Sequence, residues 1–133
     1  MKYLLDTCAM LWALQDTARL SATARKSLQN SQNTIAVSVV SYWEISLKRG
    51  LGKLTLDGAE PEDFPRFVAE AGWSTLPLSP ETAASSGRLP LLPDHRDPFD
   101  RLLVWSALRE NLTLVSRDGI MRAYAPYGLK VCW

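Results

Sequence analysis

Four acidic residues stand where an alternating α/β chain would gather them. Asp6 ends the apolar run Tyr3-Leu4-Leu5, and Glu44 lies one turn into the segment after Ile35-Ala36-Val37. Asp100 opens the helical run that begins at Pro98, with Asp97 just before it, and Asp118 follows Leu112-Thr113-Leu114-Val115. In open α/β sheets, ligand sites form beyond the carboxyl ends of the strands. Carboxylates collected there, without a His or Cys cluster, make an oxygen-donor site for a hard divalent cation, Mg²⁺ or Mn²⁺. Such an ion activates water, positions a phosphate and stabilises a leaving oxygen, so the expected chemistry is metal-assisted phosphodiester hydrolysis.

Each acid also has a local explanation. Asp6 can cap the helix starting at Thr7. Glu44 completes Ser41-x-x-Glu44, a capping box, and pairs with Lys48 four residues on. Asp97 caps a helix with Pro98 at its first position and Asp100 in its first turn, and Asp118 can cap a helix from Gly119. Taken jointly the pattern says more. Parallel strands end on one edge of a sheet, so the caps of the following helices converge there, and crowded carboxylates repel one another until a cation relieves them.

The elements that must position these acids alternate between short β-rich runs and longer helical patterns, the mark of stacked βαβ units. Strands are expected at residues 2–5, 34–38, 74–78, 112–116 and 130–132. Helices are expected from Thr7 to about Gln15, from the Ser21 cap to about Asn30, from Ser41 to Arg49, from Pro61 to Gly72, from Pro80 to Gly87, from Pro98 to Glu110, and over 119–124. Leu54-Thr55-Leu56 reads as a short extended piece. Leu89 to Arg96, with Pro90 and Pro93, reads as a loop with room for function. The expected architecture is a three-layer α/β/α sandwich around a mostly parallel five-stranded sheet.

The whole chain of 133 residues reads as one domain, 47% hydrophobic and 22% charged, which is ordinary for a globular protein. A formal net charge of +1 means that any basic surface for nucleic acid is local. The two cysteines, Cys8 and Cys132, follow no zinc spacing and are too few for a disulfide scaffold, which fits a reduced, cytoplasmic setting. No apolar stretch has the length of a membrane span, and Met1-Lys2 leads into a strand rather than a signal peptide. The five tryptophans are expected mostly in the core or at a dimer interface.

The segments LLDTCAMLWAL (residues 4–14), SVVSYWEISLKRGLGKL (38–54), HRDPFDRLLVWSAL (95–108) and LTLVSRD (112–118) resemble the PIN-domain ribonucleases, and most closely the VapC-type toxins of bacterial toxin–antitoxin pairs. The likeness runs through nearly the whole chain, with the four acidic blocks in the family's order. It implies a Mg²⁺- or Mn²⁺-dependent endoribonuclease acting on RNA and a homodimer that forms a heterotetramer or larger assembly with a cognate antitoxin. The antitoxin's tail would block the active site, and an Arg from it could pair with the carboxylates. By the same likeness Asp6, Glu44, Asp100 and Asp118 are the catalytic acids. Asp6, Asp100 and Asp118 hold metal, and Asp97 either shares it or caps the helix. Trp12, Trp43 and Leu51 would line the antitoxin groove, with core packing the alternative for the two tryptophans. Two departures stand out: Cys8 where His is common, read as a packing thiol, and Ser116 where Thr is usual, its hydroxyl kept to orient a water or Asp118.

Lys48, Arg49 and Lys53 follow Glu44, and His95, Arg96 and Arg101 bracket the Asp97–Asp100 block. At a cleft rim they would hold RNA phosphates without reading sequence. Otherwise Lys48 pairs with Glu44 and the rest are solvated, Arg96 and Arg101 being the two best suited to contact. His95 has no Cys or Ser nucleophile in view, which argues against a Cys–His or Ser–His hydrolase. It reads as a surface histidine of the loop, with a substrate-touching one the alternative. Two rival classes remain. A phosphatase would want Asp-x-Asp after the first strand, where Asp6-Thr7-Cys8 stands, and a phospho-receiver wants an acidic pair that is absent. A non-catalytic PIN-like module binding RNA or protein would have no use for all four acids.

Overall fold

The computed structural model describes residues 1–133. Five strands, β1 (Lys2–Leu5), β2 (Thr34–Ser38), β3 (Ser74–Leu76), β4 (Thr113–Val115) and β5 (Lys130–Cys132), form one sheet in the order β3-β2-β1-β4-β5. Every pairing is parallel, where a mostly parallel sheet was expected. The connections are α1 (Thr7–Gln15), α2 (Ala22–Gln29), α3 (Val39–Gly50), α4 (Phe64–Glu70), α5 (Pro80–Ser85) and α6 (Pro98–Glu110), with a 3₁₀ stretch at Gly119–Tyr127.

The sheet is buried on both faces, as parallel sheets are. Leu5, Val37 and Val115 point into one layer with Ala9, Met10, Phe64 and Val68. Leu4, Ala36 and Leu114 point into the other, against Leu103, Val104 and Ala107 of α6 and Met121 and Tyr124 of the 3₁₀ stretch. Because side chains alternate along a strand, consecutive leucines of β1 serve opposite cores.

The register places the site. Leu5 lies opposite Val37 on one side and Val115 on the other. One residue further, Asp6, Ser38 and Ser116 therefore end three neighbouring strands at the same level. The Asp6 N–H still donates to the Val115 carbonyl at 3.0 Å, so the acid is anchored by the last rung of the ladder.

Some local expectations change. β2 runs directly into α3, which starts at Val39 rather than Ser41 because the Ser38 hydroxyl accepts from the Val40 N–H at 3.0 Å. Ser41 is thus inside the helix, and no capping box forms with Glu44. Leu54-Thr55-Leu56 pairs with no strand. The segment from Pro61 begins as a 3₁₀ turn before α4, and β3 and β4 are shorter than expected. The Gly119 helix runs to Tyr127 as 3₁₀, with Pro126 near its end.

Candidate active site

The local caps are real and coexist with the convergence. Asp6 Oδ1 accepts from the Ala9 N–H at 2.7 Å, and Asp97 Oδ1 accepts from the N–H groups of Phe99 and Asp100 at 2.8 and 3.1 Å. Asp118 Oδ1 accepts from Ile120 at 3.1 Å. Yet Asp6, Glu44, Asp100 and Asp118 line one cavity of about 370 Å³, together with Thr7, Cys8, Trp12, Arg117 and Met121. Capping and clustering share a cause, since each helix or 3₁₀ stretch starts at the same sheet edge. Asp97 stands outside that lining, with its carboxylate spent on the cap, but its charge reaches Asp100.

Glu44 is buried on α3 and held from two sides. The Thr7 hydroxyl donates to Oε1 at 2.6 Å, and Lys48 forms an ion pair with Oε2. Thr7 also lies 3.0 Å from the Ser41 hydroxyl, so α1 and α3 are joined by a buried polar contact beside the acids. Ser116, also buried, accepts from the Asp118 N–H at 3.1 Å, and its hydroxyl lies close enough to Asp6 to favour the ionised carboxylate. Its contact to Asp118 is to the backbone N–H, not to the carboxylate it was expected to orient.

Electrostatics records the crowding. Burial, then the charges of Asp97, Glu44 and Asp6, push the Asp100 carboxyl up to about 7 against opposition from Lys48. Burial also raises Asp6, to about 6; hydrogen bonds from Ser116 and Ala9 oppose the rise, and Glu44 and Asp118 add to it. Burial alone would lower Lys48, but the Glu44 carboxylate outweighs it and holds the ammonium above its usual range. Two carboxyls that resist ionisation while facing one pocket are what a divalent cation would relieve. No three acidic, His or Cys side chains close on a point as a ready cage. The arrangement fits Mg²⁺ or Mn²⁺, which keeps several waters and takes only one or two carboxylates directly. Asp6 and Asp100 are the pair best suited to it. A soft metal does not fit, because burial and the neighbouring acids push the Cys8 thiol up to about 11.

Other residues depart from expectation. Cys8 is exposed rather than packed, with its thiol at the acidic cavity. His95 is only 3% exposed, its Nδ1 2.6 Å from the Tyr124 hydroxyl. The loop that carries it folds inward, which corrects the surface reading. Arg101 donates to the carbonyls of Leu89 and Pro90 at 2.9 and 3.0 Å and to Tyr124 at 3.3 Å. Its guanidinium staples the loop instead of standing at the acidic cavity. Arg96 is exposed in a separate groove with Leu91, Leu92 and Pro93. Trp43 is 58% exposed and Leu51 60%, so neither is core, while Trp12 is half-buried and walls the acidic cavity.

Two site residues escaped the sequence reading. In the sequence Thr7 reads only as a helix start, although a hydroxyl next to a strand-end acid is a signal for it. Arg117, between Ser116 and Asp118, brings its guanidinium to 5.8 Å from the Trp12 ring and lines the cavity.

Comparison with known proteins bears on what this cavity belongs to. The chain folds like VapBC2 from Rickettsia felis bound to a promoter DNA fragment, with TM-score 0.66 and 21% identity over 98% of this chain and 97% of that one. It is similar to DNA-bound VapBC from Salmonella typhimurium, with TM-score 0.64 and 17% identity over 98% and 96% of the two chains. It is also similar to VapBC-5 of Mycobacterium tuberculosis, a member of the VapBC family of toxin–antitoxin systems, with TM-score 0.59 and 19% identity over 98% and 94%. No curated protein matches at a significant level. At such identities these likenesses establish the fold alone. The PIN-domain family model, however, matches residues 3–126, from within the first strand into the 3₁₀ stretch after Asp118, and so includes every acid of the cavity. With nearly the whole sequence accounted for in this way, the chain belongs to the PIN-domain family.

Proposed function

We propose that this chain is the toxin of a type II toxin–antitoxin pair and a Mg²⁺- or Mn²⁺-dependent endoribonuclease. The observation that carries this reading is the meeting of Asp6, Glu44, Asp100 and Asp118 in one cavity at the strand ends of a PIN domain. Asp6 and Asp100 would hold the ion directly, with the charges of Asp118 beside Asp6 and Asp97 beside Asp100. When bound, the ion supplies Lewis-acid polarisation of the phosphate and a more acidic water. The buried Ser116 hydroxyl accepts from the Asp118 backbone N–H and so fixes the chain that carries this acid out of β4. Glu44, fixed by Thr7 and Lys48, adds negative charge at the cavity wall without being free to swing.

Lys48, paired with Glu44, and Arg117, in the cavity lining, form with exposed Arg96 the proposed RNA-backbone contacts. Arg101 contributes indirectly, by holding the Leu89–Arg96 loop. The protein-partner part of the reading is supported by an exposed apolar ridge at four-residue spacing along and just past α3. Val39, Trp43, Leu47 and Leu51 are 36%, 58%, 42% and 60% exposed. An antitoxin or a second copy of the chain would cover it.

The test is cleavage of a structured RNA by the purified chain with Mg²⁺ and with a chelator, for the parent and for Asp6→Asn and Asp100→Asn. The parent should cleave only with metal, and each variant should lose at least about 100-fold in rate. RNA binding without cleavage by the parent would instead establish a non-catalytic module.

A further inference from the structure

Behind Asp100 lies a buried relay that the acidic cluster does not explain. His95 is 3% exposed, and its Nε2 is one of two buried side-chain atoms in the chain with no hydrogen-bond partner. That nitrogen faces Asp100 Oδ2 at 3.8 Å, beyond hydrogen-bond length but within reach of a small carboxylate rotation. The other ring nitrogen, Nδ1, is 2.6 Å from the Tyr124 hydroxyl, which lies 3.3 Å from an Arg101 guanidinium nitrogen.

Proton counting sets the direction of this relay. Arginine has donors only, so the Tyr124 oxygen must accept from Arg101. The single hydroxyl proton of Tyr124 then goes to His95 Nδ1; otherwise it would be buried without a partner. With Nδ1 accepting, the imidazole carries its proton on Nε2, the atom aimed at Asp100. The two ends of the relay are fixed independently, since Arg101 is also tied to the Leu89 and Pro90 carbonyls. An orphaned donor held at such a place is costly unless an acceptor closes on it in the working state.

We propose that His95 is a positioning residue: its Nε2–H, set by the Arg101–Tyr124 relay, takes one Asp100 carboxylate oxygen and turns the other to the acidic cavity. This rests on the reading of that cavity as a divalent-metal nuclease site. Outer partners of metal-binding carboxylates act in this way, by fixing orientation rather than touching substrate.

The test separates the two ring nitrogens. A glutamine amide can stand in for Nε2–H, whereas an asparagine amide reaches only the Nδ1 position. Mn²⁺ titrations, followed by the electron spin resonance of the free ion, would compare the parent with His95→Gln, His95→Asn and Asp100→Asn. His95→Asn should weaken Mn²⁺ binding about 10-fold or more, and His95→Gln should restore it to within about threefold of the parent. Equal affinities for the two His95 variants would overturn the positioning role, and a variant that merely loosens the fold would lower thermal stability without this contrast. If Asp100→Asn abolishes Mn²⁺ binding while His95→Asn leaves it intact, the nuclease reading stands and the relay falls. A parent that binds no Mn²⁺ overturns both. Should both variants fail to fold, the imidazole nitrogen shifts of the parent decide: a proton on Nε2 supports the relay, and one on Nδ1 ends it.

Discussion

Asp100→Asn should stabilise the metal-free protein, which is the reverse of what loss of a buried side chain usually does. The carboxyl titrates near 3.8 without a fold and near 7 within it, so the folded state holds a proton more tightly than the unfolded chain. For a group raised in this way, stability falls as pH rises between those two values. The penalty is absent below the lower value and complete above the upper one. Each pH unit between them is worth ~1.4 kcal/mol, which sets a ceiling of roughly 4 kcal/mol. The Asp100 side chain is 28% exposed. Screening by that solvent reduces the expected figure to about 1–2 kcal/mol. The asparagine amide keeps the shape and removes the charge that Asp97, Glu44 and Asp6 oppose. In thermal melts with chelator at about pH 8, the variant should unfold roughly 3–8 °C above the parent. The gap should shrink steadily towards about pH 4.5, as the folded parent's carboxyl takes up its proton while the unfolded one is still ionised. Millimolar Mg²⁺ should then reverse the order, because only the parent gains the free energy of binding the ion. A variant that melts below the parent at high pH without metal, or a gap that ignores pH, would refute the crowding of carboxylates on which the site rests.

Three further outcomes follow from individual contacts. Arg101→Lys should cost about 2–3 kcal/mol in denaturant unfolding, since an ammonium cannot reproduce the fork to Leu89 and Pro90. RNA affinity measured on the folded fraction should hold within about twofold, well inside one factor of ten in binding energy. Weaker RNA binding at unchanged stability would return Arg101 to the substrate surface. Cys8, with its thiol pushed up to about 11, should react with iodoacetamide roughly 100-fold more slowly than a peptide cysteine near neutral pH. Mg²⁺ should speed that reaction by cancelling the field of Asp6, Glu44 and Asp100, and a rate equal to the free thiol's would mean that the carboxylates do not act on it. Asn111 ends α6 in the left-handed region, at φ 53°. Asn111→Ala should therefore lose about 1 kcal/mol in chemical unfolding while Asn111→Gly loses nothing, and equal losses would place the cost elsewhere.

The parts legible in the sequence are those that depend on near neighbours. Asp6, Ser21, Asp97 and Asp118 cap their elements because a short polar side chain reaches an N–H two or three residues ahead whatever else the chain does. Alternation of β-rich and helical runs sufficed for a parallel sheet, and a parallel sheet sends all its strand ends to one edge. The convergence of Asp6, Glu44, Asp100 and Asp118 therefore followed without coordinates. What tertiary structure alone decided was which polar group faces which. Thr7 bonds Glu44 across 37 residues of chain, because α1 and α3 leave adjacent strands side by side. Arg101 turns from substrate to loop, and His95 from surface to interior, because Leu89 buries itself and brings two carbonyls over α6. Burial and hydrogen-bond direction belong to surfaces that meet only when distant segments pack, and a residue's type does not say which surface it will meet.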